Sequence, residues 1–532
     1  MKGITRRNFM KGSVAAGVAA VLPFSHVRGA NNSVRVGVVG LGGRGTGAHI
    51  PSFESQKDVV VVAVSDADRE RMAGAAKMIE AKYKHQVEQH LDMREMFDRN
   101  DIDVIANATQ NYWHGLSTIR ACQAGKHVYV EKPLSHYIWE GRQMVNAAGK
   151  YNRIVQCGTQ HRSESSIAEA IEWIRQGNLG KIKHVTAFAN KPRSSCGKRD
   201  TPLPIPEAVD YDLWCGPARK APLYRDRLQY DCSFDWNTGD GESCNQGVHE
   251  VDVARWCLGE TMLPRRVMSI GGRFLFNDAC NVPNTQIIYY DFPTAPLLYE
   301  VHNLPKRKGS SEMPTFRDES VGVIVDCEGG SVSLYRGIAW DNEGKQIKSF
   351  SGGGDHFANF IEAVRSGRRE ALNAEVLEGH LSTAVCHTGN ISYRLGKEAS
   401  RQEMLAQVRD IPIFNAMFDR LIEHLAAHQI DIDAGTVTLG PWLEIDRRNE
   451  QFKDNVEANN LVRGFYREPY IVPPHQSAGL RGETSRLGTP VRQIQYWAAR
   501  ADWCGATTYR HPADDRLCAR LCLRAPWRDQ SQ

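Results

Sequence analysis

The run 34–45, VRVGVVGLGGRG, constrains this chain more than any other stretch, because it joins an apolar strand to a GxGxxG turn with glycines at Gly40, Gly42 and Gly45. Gly40 permits a tight turn, Gly42 lets backbone approach a phosphate, and Gly45 lets the following helix pack against the strand. Gly43 and Arg44 complete the turn, and the helix N-terminal amides beyond it face an anion. A second apolar run, VVVVAV at 59–64, leads to Asp66, 21 residues past Gly45. That is the spacing of the acid that accepts from the ribose hydroxyls of a dinucleotide. A carboxylate there repels a 2′-phosphate, so the pattern favours NAD over NADP, a preference tempered by Arg69 and Arg71 nearby.

The amino terminus carries Thr5-Arg6-Arg7-Asn8-Phe9-Met10-Lys11, then an uncharged stretch at 12–22 and small residues at Gly29 and Ala30. Residues 1–30 therefore read as a twin-arginine signal peptide, which addresses the chain to the export machinery and to the periplasm or another exported location. The apolar stretch is about half the ~20 residues that a spanning helix needs, so no stable membrane span is expected. The net charge of +4 is carried by the two ends: residues 1–30 hold five bases and no acid, and 477–532 hold nine arginines against five acids. The body between them has 52 basic and 57 acidic residues, which gives nucleic acid no basic surface. Thirteen cysteines without a CxxC pair favour mostly buried thiols over a disulfide framework, and no spacing points to a metal site.

Apolar runs at 34–39, 59–64, 102–109, 127–132 and 153–158 alternate with helical stretches at 67–83, 92–99 and 115–124, with a short strand near 87–91. This alternation predicts an α/β fold, a parallel Rossmann sheet over 31–160. From Lys181 longer strands and turns predict an α+β domain over 161–476 with a large, mostly antiparallel, open-faced sheet. Helices at 355–365 and 374–395 follow, expected to pack back toward the Rossmann domain. Residues 477–532 lose lysine and all periodicity and read as an arginine-rich, disordered extension.

Two short constellations carry chemistry. Glu131-Lys132-Pro133 ends the fifth strand, on the edge where open α/β sheets place ligands. A lysine desolvated beside a cationic cofactor has a lowered pKa and can share a proton with a hydroxyl. The second is the segment 245–256, NQGVHEVDVARW: as one helix it presents Asn245, His249, Asp252 and Trp256 on one face, with His249 as a general base.

Together GxGxxG with Asp66, ATQNYWH (108–114), EKP (131–133), GTQHRS (158–163), YDLWCGPA (211–218), the histidine segment and GNISYRLG (389–396) resemble exported members of the Gfo/Idh/MocA oxidoreductase family over about residues 33–475. The resemblance implies a nicotinamide cofactor held by Gly40, Gly42, Gly43, Arg44, Gly45, Asp66, Thr109, Asn111, His114, Glu131 and Lys132. It implies a cis Lys132–Pro133 bond, proton transfer by Lys132 and His249, and homo-oligomers. The family pairs its histidine with an aspartate four residues earlier, where this chain has Asn245. An amide takes no proton, so His249 needs another carboxylate, with Glu242, Glu250 and Asp252 as candidates. Tyr211, Trp214, Tyr224, Tyr230, Phe234 and Trp236 offer flat faces to a sugar ring; Gln160, Arg162 or Asp240 would take its hydroxyls. His161 and His380 are further cleft candidates.

The expected function is hydride transfer on a sugar, cyclitol or glycoside with a tightly bound cofactor, since an exported enzyme has no ready pool of free NAD. The alternatives are an NAD-dependent glycoside hydrolase or epimerase working through transient oxidation, and a catalytically silent sugar-binding protein.

Overall fold

The computed structural model describes residues 33–475. The expected signal at 1–30 and extension at 477–532 lie outside the described residues.

Five short, mostly apolar runs and one polar edge segment form strands β1 (Val34–Val39), β2 (Val59–Ser65), β3 (Glu88–His90), β4 (Val104–Asn107), β5 (His127–Val130) and β6 (Val155–Cys157), with β3 the polar one. They pair in parallel in the order β3-β2-β1-β4-β5-β6. Every residue of β4, β5 and β6 is buried: β4 and β5 are central strands covered on both faces, and the edge strand β6 is covered by a bridge from Gln156 to Glu375. The order reverses between β1 and β4, and ligands of such sheets bind outside the strand ends at that switch point. Gly40, Asp66, Thr109 and Glu131 all stand on that edge. Helix Arg69–Tyr83 begins where Asp68 accepts from the Glu70 and Arg71 amides. Helix Asn111–Gln123 starts four residues earlier than the sequence pattern predicted, with extended Gln110 as its cap, which draws Asn111 and His114 into its first turn.

The second sheet contains β7 (Ile182–Ala189), β8 (Arg266–Gly272), β9 (Thr285–Tyr290), β10 (Leu297–His302), β11 (Val321–Cys327), β12 (Gly330–Ser333), β13 (Ile338–Asp341) and β14 (Gln346–Ser349). Their order is β14-β13-β12-β11-β7-β10-β9-β8, continued by short strands near 397 and 438. Only β7 and β10 pair in parallel among these strands. One face, with Val267, Ile288, Tyr290, Leu297 and Tyr299, packs on helices Gly247–Leu258 and Val376–Arg394. Alternate residues Met268, Ile270, Ile287, Tyr289 and Leu298 point the other way. That face is not wholly open: helix Pro412–Ala427 covers it at β8–β10 with Phe414, Met417, Phe418 and Leu421. Helix His356–Ser366 returns to the Rossmann sheet, where Phe357 stacks on Tyr129 with ring centroids 4.6 Å apart.

Candidate active site

At the nucleotide end the turn is shaped by backbone sterics. Gly40 has φ +84°, and a Cβ on it would meet the Ala108 carbonyl at 2.5 Å; one on Gly45 would meet the Gly40 oxygen at 1.9 Å. These two positions exclude any side chain. A Cβ on Gly42 or Gly43 would meet nothing within 4 Å, so the turn is open where a phosphate would lie. Beside it lies a cleft lined by Gly40, Asp66, Thr109, Trp113 and Trp214, among others. Asp66 accepts from the Leu41 amide at 2.6 Å and the Asp68 amide at 3.0 Å, while burial pushes its carboxyl above the ordinary value. Arg71 is engaged with Asp68 at 3.3 Å. Glycine backbone, open cradle and ribose acid together fit a dinucleotide.

Trp214 therefore lines the nucleotide cleft and is 2 % exposed, which corrects its expected place among substrate platforms. Its segment is zipped to the end of β2: the Arg69 amide donates to Ala208 O at 2.9 Å and the Asp210 amide to Ala67 O at 2.8 Å. Residues 208–214 thus form a strap across the loop that follows Asp66.

At the strand edge Glu131 is buried and accepts from Arg44 Nε at 2.7 Å and meets His49 Nε2 at 3.0 Å. Burial alone would raise its pKa, but His49, Arg44 and Lys132 hold it far below the usual carboxylate range. Lys132 follows, with a cis bond to Pro133, and its Nζ donates to the Asn245 carbonyl at 2.6 Å. Burial lowers the Lys132 pKa, opposed by Glu131.

The histidine segment is not one helix. It runs as Gly241–Asn245 and Gly247–Leu258, interrupted at Gln246, so Asn245 leaves the expected face while His249, Asp252 and Trp256 keep it within one helix. The Asn245 side chain turns to Tyr230 Oη (2.9 Å) and Glu242 (3.1 Å) and makes no hydrogen bond to His249. His249 keeps a buried Nδ1 without a partner and meets the His161 ring edge-on at 5.5 Å. Burial, then the charges of Lys132 and His161, hold its pKa well below the ordinary value, so the ring is neutral.

None of the three candidate carboxylates hydrogen-bonds His249. Glu242 is taken by Arg193 at 2.8 and 3.0 Å; Glu250 accepts from Gln246 at 2.9 Å and Tyr335 at 3.2 Å. Asp252 accepts from Arg162 at 2.8 and 3.0 Å and from Ser382 at 2.6 Å. Arg162 also binds Glu378 at 3.1 Å and lies 5.4 Å over Trp256. Arg162 and Asp252 are thus a buried ion-pair network, neither the substrate contact expected of Arg162 nor the His249 partner considered for Asp252.

Other expected residues fall to either side. His114 is fully buried, its ring nitrogens meeting Pro133 O at 2.7 Å and Thr109 O at 3.0 Å, so it braces the ends of β4 and β5 behind the cofactor cleft. Thr109 Oγ1 donates to Asn107 at 2.7 Å and Asn111 donates to Asp240 at 2.8 Å. Gln160 donates to Tyr129 Oη at 3.2 Å. Trp236 lines a separate recess with Asp240, His136 and Arg394, whose guanidinium lies 5.1 Å over it. His380 is fully buried against Glu450 at 2.9 Å. Sequence reasoning missed Lys191, which donates to Gln246 Oε1 at 2.7 Å, and Arg193. Their signal was a pair of cations just beyond the end of β7.

Three family models match: a twin-arginine translocation pathway signal sequence at 3–23, an oxidoreductase-family NAD-binding Rossmann fold at 34–159 and an oxidoreductase-family C-terminal alpha/beta domain at 174–293. A myo-inositol 2-dehydrogenase of Thermotoga maritima is 25% identical over 43% of this chain and 55% of its own length. A glycosyl hydrolase family 109 protein 2 of Shewanella sp. strain ANA-3 is 27% identical over 72% of this chain and 92% of its own. Against the first three curated relatives the match spans 34% to 55% of their length. The crystal structure of an aldose-aldose oxidoreductase from Caulobacter crescentus in complex with glycerol shares the fold, with TM-score 0.50 and 18% identity over 67% of this chain and 96% of that one. With both of its domains matched and an export signal ahead of them, the chain belongs to the Gfo/Idh/MocA oxidoreductase family.

Proposed function

We propose that this exported oxidoreductase keeps a nicotinamide dinucleotide, NAD in preference to NADP, and acts on a secondary alcohol carbon of a sugar, cyclitol or glycoside. The strap 208–214 carries this reading: it closes the ribose end of the cleft with Trp214, as suits a cofactor retained where no free pool exists. When bound, the nicotinamide would supply the hydride acceptor. Gly40, Gly42, Gly43 and Gly45 would hold the pyrophosphate and Asp66 the ribose hydroxyls. Arg71, already paired with Asp68, is poorly placed to take a 2′-phosphate.

Lys132 would stabilise the developing alkoxide through its ammonium, oriented by the Asn245 carbonyl. His249, neutral and with no carboxylate partner, would take the hydroxyl proton. Because Lys132 uses the backbone of residue 245, Asn in place of the family aspartate leaves that contact intact.

A second reading, cleavage of a glycosidic bond with the hydride returned to the same sugar, is supported by the match to a family 109 hydrolase along nearly its full length. A glycoside panel identifies a turned-over substrate, and deuterium is then placed at its oxidised carbon. Deuterium in a different, reduced molecule supports net oxidoreduction; deuterium retained in a cleaved sugar supports the hydrolase. Turnover that requires stoichiometric free NAD refutes the retained cofactor.

A further inference from the structure

Between the end of β7 and Tyr211 the chain runs for some twenty residues without helix or strand, yet this segment bears Lys191 and Arg193, which hold Gln246 and Glu242 beside Asn245. Midway along it Cys196 meets the loop after β8. The Cys196 amide donates to Asp278 at 2.9 Å, Ser195 Oγ to the same carboxylate at 3.0 Å, and the Ala279 amide to Gly197 O at 2.9 Å. These bonds bracket Cys196 and Cys280, and the two sulfurs and an Asp278 oxygen lie within 4.8 Å of one another. Both thiols are buried in a small cluster with Phe234 and Val282. Export delivers this reduced pair to an oxidising compartment, where disulfides form and persist.

We propose that Cys196 and Cys280 form a disulfide in the exported protein, stapling the irregular 190–210 segment to the β8–β9 loop. A metal ion is the rival occupant, and the surroundings disfavour it. Both Asp278 oxygens are already used, by Arg273 Nε at 2.7 Å, by Ser195 and by amides, so a second cation would have to displace a guanidinium. The other eight described cysteines are buried in other clusters, where Cys244 meets His387 Nδ1 at 3.8 Å and Cys232 donates to Tyr230 O at 3.6 Å.

The oxidant is a disulfide-bearing thiol oxidase of the exported compartment. Cys196, whose pKa is lowered chiefly by a hydrogen bond from Cys280, attacks one oxidant sulfur as thiolate and releases the other as a thiol. Cys280 then gives up its proton and attacks Cys196 Sγ in the mixed disulfide. The oxidant leaves as a dithiol carrying two electrons and two protons. The closed loop of more than eighty residues constrains the unfolded chain and pins one wall of the candidate active site.

The test uses the full chain, isolated both from the exported fraction and, as an Arg6→Lys/Arg7→Lys precursor, from the cytoplasm. Each is denatured in excess N-ethylmaleimide without reductant, digested and weighed. The expected result is a Cys196–Cys280 peptide pair, two hydrogens lighter than its separate parts, in the exported protein alone, with both thiols alkylated in the precursor. Reduction should lower the Tm of the exported wild type by roughly 5 °C and leave that of Cys280→Ser unchanged. Full alkylation of both cysteines in the exported protein overturns the proposal. So does a stoichiometric metal in its native mass whose chelation is what frees the thiols.

Discussion

The two ends of the cleft are made from different materials. At the nucleotide end the shape comes from backbone: Gly40 and Gly45 have no room for a methyl group, and Asp66 is oriented by two amides. At the other end it comes from side chains of distant segments, with Lys132 donating to Asn245 and His249 meeting His161. A backbone site depends on local spacing and tolerates little change. A side-chain site can swap Asp for Asn at one position and keep its remaining contacts, provided each buried charge finds another partner.

The largest effect should separate chemistry from binding. Lys132→Ala and His249→Ala are expected each to lower kcat by about 10²–10⁴ while the dinucleotide still copurifies. Gly45→Ala should lose the dinucleotide itself. Equal loss of nucleotide in all three would break the division into two ends. The pH profile sharpens it: neutral His249 is the active form, so activity falls as pH drops through its pKa. That pKa lies well below 6.5, which places the acid limb of kcat/KM below that pH.

A smaller effect is expected where sequence pointed to substrate and the structure shows an ion pair. Arg162→Met leaves Asp252 buried with only Ser382 and Arg255 near it, and should cost about 3–5 kcal/mol in denaturant unfolding with KM unchanged in the folded fraction. A raised KM at unaltered stability would return Arg162 to the substrate.

The smallest concerns Asp66. Asp66→Ser removes the charge facing the ribose and should narrow the NAD over NADP preference by roughly tenfold, about 1.4 kcal/mol. A wild-type preference for NADP would remove this role for Asp66.

Much of the Rossmann half was legible because its signals are local. Apolar runs set the strands, and the turn glycines follow from sterics within a few residues. The helix at 412–427 carries a local signal too, Phe414, Met417, Phe418, Leu421 and Leu425 at helical spacing, but no element was expected there, so the cover it gives the second sheet came only with the structure. The site in the second half was less so. Periodicity treated 245–256 as one helix, but the interruption at Gln246 turned Asn245 away from His249.

By itself the sequence determined the export signal, the glycine turn of the NAD-binding fold, the two sheet types and the Lys132 strand end, since each depends on residues near one another in the chain. Only the tertiary structure decided that Arg162 joins Asp252 across 90 residues, that Trp214 lines the nucleotide cleft, and that Cys196 faces Cys280. Hydrophobic pattern fixes which face of an element is buried but not which distant side chain meets it there. A buried charge or thiol takes its role from that partner.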